Sequence, residues 1–147
     1  MRLIKQKVAV SEEEGITISY IEWTKQLEDI KNYILGIGKH ITVYGQNKEM
    51  RQLSIEDILY FEAVGELVFA YTQHQVYEIK MRLYQVEEKL KSDKMFRASK
   101  SLVINLKHID SVRPALNGRL YAKMTNGEEV LISRQYAKEI TAQIMNM

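Results

Sequence analysis

A chain of 147 residues, 46% apolar and 27% charged, is sized for one globular domain with a short appendage and can bury a core without staples. It has no cysteine, which excludes disulfides and thiolate metal sites, and no apolar run approaches the length that spans a bilayer. Net charge is only +2, yet residues 1–80 carry nine Lys and Arg against twelve Asp and Glu, while residues 81–147 carry twelve against seven.

The start, Met1-Arg2-Leu3-Ile4-Lys5, has no secretory h-region, so the expected compartment is the cytoplasm. Arg2 to Val10 alternates loosely, as a strand does, and Ser11-Glu12-Glu13-Glu14-Gly15 is a polar turn. Ile16 to Tyr20 fits a second short strand. From Ile21 the period changes. Trp23, Leu27, Ile30, Ile34 and Ile37 step by four, three, four and three, which marks one apolar stripe on a helix. Both core packing and a dimer contact fit that stripe.

After Lys39 the texture is β. Strands are expected over Ile41–Tyr44, Glu49–Leu53, Ile58–Ala63, Leu67–Tyr71 and Gln75–Ile79. Ser54 fits the cap of a single helical turn, and Leu83, Val86 and Leu90 set a short amphipathic helix. Leu102-Val103-Ile104 wants burial, and the basic Ser99-Lys100-Ser101 before it reads as a loop presented on an apolar anchor. Ile109–Arg113 is a further strand that ends at Pro114. Asn117-Gly118 is a turn, and Asn126-Gly127 joins the alternating segments Leu120–Met124 and Glu129–Ile132 into a hairpin. Ser133 is the expected cap of a last helix with apolar Tyr136, Ile140 and Ile144. The fold class expected is mostly β with a few short helices.

Chemistry is sparse. His40, His74 and His108 stand far apart without partners at metal spacing. Lys100 lies next to Ser99 and Ser101, but neighbours on an extended chain point to opposite sides, so it is poorly placed to activate either. No glycine loop follows a strand and opens a helix as a phosphate cradle requires. No cofactor, metal or small-molecule substrate is therefore expected, and an enzyme, a hydrolase using Ser99 or Ser101, is the weaker reading. Tyr60 and Phe61 are more readily core residues than stacking platforms for RNA. Between Lys94 and Arg119 lie six Lys and Arg and one acid, Asp110. Such a cluster is either a solvated face or a surface that meets a polyanion. A basic face that docks an acidic protein is the other non-enzymatic reading.

The markers Ile58-Leu59-Tyr60-Phe61-Glu62-Ala63, Leu83 with Leu90, Phe96-Arg97-Ala98-Ser99-Lys100-Ser101, Val103-Ile104-Asn105, His108-Ile109, Asn126-Gly127 and Ser133-Arg134 together resemble the LytTR family of bacterial DNA-binding domains. The likeness runs from about Ile41 to Ile144. Arg113–Arg119 and the N-terminal strand and helix look like the subgroup without a receiver domain. The division expected is a strand-helix extension over residues 1–40, open to dimerisation, and a DNA-binding domain over residues 41–147.

The resemblance implies a β scaffold that reads double-stranded DNA with loops, as a homodimer on repeated half-sites, in a transcriptional regulator. It places contacts in the turn Gly65, Glu66, Leu67 and Val68, in Ser99, Lys100 and Ser101, and in Arg134 with Gln135. The first departs from the family pattern, with an acid and two aliphatics where many members carry polar or basic groups. Arg97, Lys107, Arg113 and Arg119 are candidates for phosphate neutralisation. Arginine binds guanine O6 and N7 together, worth about 1–3 kcal/mol of discrimination.

Overall fold

Strands of two kinds build the fold in the computed structural model, which describes residues 15–36 and 39–147. Those with one covered face alternate. β1 (His40–Tyr44) buries Ile41 and Val43, and β4 (Leu67–Tyr71) buries Val68 and Ala70. Those covered on both faces carry unbroken apolar runs, as β7 (Leu102–Asn105) does in Leu102-Val103-Ile104, with all four of its residues buried. The chain divides into two units, Met1–Leu35 and Gly36–Met147.

The larger unit is mostly β. β1, β2 (Met50–Ser54), β3 (Tyr60–Val64), β4, β5 (Val76–Ile79), β6 (Met95–Ser99) and β7 form one antiparallel sheet in the order β2-β1-β5-β4-β3-β7-β6. β8 (Ile109–Pro114), β9 (Leu120–Met124) and β10 (Glu129–Ile132) form a second sheet with β9 in the middle. Pro114, which has no amide proton, ends β8 on that sheet's edge.

Two helices cover β3, β7 and β6 from opposite sides. One core holds Leu83, Val86 and Leu90 of α2 (Leu83–Leu90) with Phe61, Met95 and Val103. The other holds Ala137 and Ile140 of α3 (Arg134–Met145) with Tyr60, Phe96, Ala98, Ile104 and Ile132. Neighbours along β3 thus enter different cores, Tyr60 one and Phe61 the other. Tyr60 and Phe61 are core residues, as their apolar context suggests. Fully burying a side chain such as Ile140 contributes about 1.5–3 kcal/mol. Asn105, the one buried polar residue among those described, donates through Nδ2 to the Ile58 carbonyl at 2.8 Å and accepts the Lys107 amide at 3.0 Å.

In the smaller unit, α1 spans Lys25–Gly36. Trp23 lies before it and donates from Nε1 to Glu28 Oε2 at 2.6 Å, so the helix starts later than the apolar stripe. Ile16–Tyr20 is not a strand, and no segment among the described residues pairs with it. The strand expected over Arg2–Val10 lies outside the described residues, as does Ile37 of the stripe. Ser54 makes no side-chain cap to the 3-10 turn after it.

Candidate nucleic-acid interface

Antiparallel pairing decides which loops meet. Glu62 of β3 pairs with Leu102 of β7, and the Ala63 amide donates to the Ser101 carbonyl at 2.8 Å. The β3–β4 turn and the β6–β7 turn therefore leave the same end of the sheet. The first turn is Gly65-Glu66, between paired Val64 and Leu67. Gly65 takes φ +62 there, which glycine adopts without steric cost. The second is Lys100-Ser101, between paired Ser99 and Leu102. Ser99 Oγ accepts the Ser101 amide at 3.3 Å and braces this turn. Ser99 is half-buried, while Lys100 and Ser101 are exposed.

α3 begins at the same edge. The Ser133 amide donates to the Ala98 carbonyl at 2.8 Å, and Ser133 Oγ donates to that oxygen at 3.3 Å. The expected helix cap is absent, because the hydroxyl is used to staple the helix start to β6. Arg134 and Gln135 follow, both exposed. Their amides are the first in the helix and have no intrahelical acceptor. Neither the Lys100 ammonium nor the Arg134 guanidinium makes a hydrogen bond or ion pair with the described residues. The turn Leu116–Gly118 before β9 reaches the same place, with Gly118 against the Arg134 stem.

Glu66, Lys100, Ser101, Arg134 and Gln135 are thus brought together, with Ser99 beneath them and Arg119 in the adjoining turn. Arg119 is half-buried and donates from Nε to the Leu116 carbonyl at 3.0 Å, which ties that turn down. Arg113 lies over the Tyr121 ring, 4.3 Å from its centroid, and both Glu129 oxygens accept from it at 3.0–3.3 Å.

Three candidates do not fit the interface. Val68 is buried in the first core, because the strand period turns it inward. Lys107 lies beyond the far end of β7 and pairs with Glu56 at 3.1 Å, about four strand residues or 13 Å from the Lys100 turn. Arg97 lies between Phe96 and Ala98 on β6, which enter the α3 core, so it leaves the sheet on the α2 side. There it approaches Glu87 of α2 at 3.7 Å, with its own side chain only 18% exposed.

A cleft of about 440 Å³ lies behind the loops, between the two sheets, with Tyr60, Glu62, Ser99, Glu128 and Ser133 in its walls. Tyr60 and Tyr71 stack with centroids 4.4 Å apart. Tyr60 donates to Glu128, and Tyr71 donates to Glu62 at 2.9 Å. Burial raises the Tyr71 hydroxyl to about 12, helped by the hydrogen bond to Glu62 and that carboxylate's charge. Burial raises Tyr60 further still, with Glu128 as the second cause. Each carboxylate therefore has a fixed hydroxyl partner. Sequence reasoning missed this network and the Gly118–Arg134 contact, since nothing in local spacing pairs residues 16 or 68 positions apart.

The chain matches the LytTr DNA-binding domain family over residues 48–145. It is similar to proteins of Staphylococcus aureus described as uncharacterized HTH-type transcriptional regulators. Those of the COL and bovine strains are 26% and 27% identical over 133 residues, 90% of this chain and 90% of each relative. A solved LytTr DNA-binding domain from Bacillus cereus superposes with a TM-score of 0.67 at 22% identity, covering 75% of this chain and all of that one. Among the described residues no two α-helices are joined by a short turn, so this chain shows no helix-turn-helix despite those relatives' names.

Proposed function

The chain belongs to the LytTr DNA-binding domain family, and on that premise we propose that it regulates transcription by sequence-specific binding of duplex DNA through the loops of one sheet edge. The observation that supports this most is the convergence of two unpaired, exposed cations, Lys100 and Arg134, from loops far apart in sequence. Arg134 is assigned a guanine edge and Gln135 an adenine edge or a phosphate. The first amides of α3 suit a phosphate oxygen. Lys100 acts as a point charge toward a base or phosphate, and Ser101 as a phosphate donor. Ser99 serves by bracing their turn. Glu66 accepts from a cytosine amino group but repels phosphate, so its turn reads and does not neutralise. Arg119 and Arg113 flank the edge as phosphate contacts, Arg113 by exchanging Glu129 for the backbone.

The N-terminal extension, residues 1–40, is the assigned self-association element, in which Tyr20, Ile21 and Tyr33 are well exposed. Two copies would then occupy half-sites about one helical turn apart, on one side of the duplex, in the cytoplasm.

Selection of bound duplexes from a random pool at stated salt tests the reading, followed by anisotropy titrations on the selected and a random duplex. Arg134→Ala should flatten the preference, whereas Arg113→Ala should weaken both duplexes alike. Equal losses on both duplexes for both variants would overturn the assignment. So would a pool that yields no preferred sequence, the result expected of a face that docks an acidic protein.

A further inference from the structure

Gly118 and Arg134 are 16 positions apart, yet a Cβ added at Gly118 would lie 3.1 Å from Arg134 Cγ and 3.2 Å from its Cδ. Both separations are closer than carbon atoms settle comfortably. The arginine stem therefore lies across the bare glycine backbone, although both residues are exposed and the stem has open space elsewhere. The turn beneath is held firmly. Asn117 and Gly118 both take left-handed backbone, φ +61 and +73, a conformation that glycine, and next Asn, adopts at least cost. The Ala115 amide donates to the Arg119 carbonyl at 2.9 Å, the Arg119 amide to the Leu116 carbonyl at 3.3 Å, and Arg119 Nε to that same oxygen.

We propose that Gly118 is a positioning residue for DNA reading: the β8–β9 turn is a fixed shelf that aims the Arg134 guanidinium at its base, and a side chain at 118 misdirects it. The inference rests on the assignment of Arg134 to a base edge. A long arginine loses rotamer freedom when it must present a planar fork in one orientation, and a shelf removes part of that freedom before DNA arrives. Gly118 touches no DNA in this account. It acts through Arg134 alone.

The test is a double-mutant cycle. Wild type, Gly118→Ala, Arg134→Ala and the double variant are titrated at one salt concentration against the selected duplex, the duplex changed at the arginine-read base pair, and a random duplex. Gly118→Asn is run beside Gly118→Ala, because Asn tolerates the left-handed backbone but still carries a Cβ. Arg134→Ala should lower the preference at that pair roughly five- to hundredfold, the span of a lost bidentate contact. Both Gly118 variants should lower it by about tenfold at most and leave the random duplex within about twofold. In the Arg134→Ala background they should change the preference no further.

Wild-type preference in both Gly118 variants would overturn the inference alone. An equal loss with and without Arg134 would also overturn it, since the turn would then act through something other than the arginine. Failure of both variants to melt cooperatively would count the same way, as a purely structural role. An Arg134→Ala variant with unchanged preference would bring down the base assignment and this inference with it.

Discussion

The Ser133 amide donates to the Ala98 carbonyl at 2.8 Å, and this bond sets the start of α3 beside the strand that leads into Lys100. The Ser133 hydroxyl donates to the same oxygen at 3.3 Å. A second, longer donor to an oxygen already satisfied adds little. Ser133→Ala should therefore cost about 1 kcal/mol or less in a urea melt and leave DNA preference unchanged. A large loss of preference in that variant would mean that the hydroxyl itself contacts DNA.

Asn105 should be far less tolerant. Its amide satisfies the Ile58 carbonyl and the Lys107 amide in a fully buried position at the end of β7. Asn105→Ala removes both partners and leaves a cavity, so a loss of about 2–4 kcal/mol is expected from denaturant melts. Val103→Ala gives a comparison at a neighbouring buried position that makes no side-chain hydrogen bond.

Arg97 separates structure from recognition. Its Nε and Nη1 are buried without hydrogen-bond partners, and Glu87, at 3.7 Å, is 40% exposed. Arg97→Met keeps the stem and removes the unsatisfied donors. Stability should stay within about 1 kcal/mol of wild type or rise, and affinity for the selected duplex should not change. A loss of affinity near that of Lys100→Ala would place Arg97 back at the interface.

Glu129 competes with DNA for Arg113. Glu129→Gln removes a charge and weakens the ion pair, whose members are 57% and 44% exposed in their side chains. Binding to random duplex should tighten, because Arg113 no longer has to give up a charged partner to reach a phosphate, and the gain should vanish in the Glu129→Gln, Arg113→Ala double variant. A gain that persists without Arg113 would show that it comes from the lost carboxylate alone.

The tyrosine pair predicts an alkaline signature. Tyr71 titrates at about 12 in the folded protein against about 10 unfolded, chiefly through burial. Because the folded state favours the protonated hydroxyl, the stabilisation is complete below about pH 10 and is lost as pH rises through 12. The tyrosinate absorbance of the native chain should show a late step near 12, and Tyr71→Phe should remove it. Tyr60, raised further, should remain protonated beyond that step.

Most of the strand pattern was legible because each strand carries its own record. Alternation marks β1, β4 and β5, and the unbroken Leu102-Val103-Ile104 marks a strand covered on both faces. Ile16–Tyr20 misled because β-branched residues favour a strand only where a neighbour supplies the ladder. Val68 enters the contact set only through the family resemblance, and its place on β4 turns it into the core. Ser54 and Ser133 both look like caps, yet neither hydroxyl caps a helix. A serine's choice between local and distant acceptors depends on what packs against it.

Residue order alone specified the hairpins, α2, α3 and the basic excess of the second half, since these depend on period, turn chemistry and charge within a few positions. Which cations share a surface was settled by long-range pairing. The antiparallel register brings Glu66 and Lys100 to one edge and sends Lys107 to the opposite end, and the Ser133–Ala98 bond sets Arg134 beside that edge. Strand parity turns Arg97 to the α2 side, and the return of the β8–β9 turn lays Gly118 under Arg134. None of these follows from local preference, because each is fixed by contacts between segments whose separation along the chain has no bearing on their distance in space.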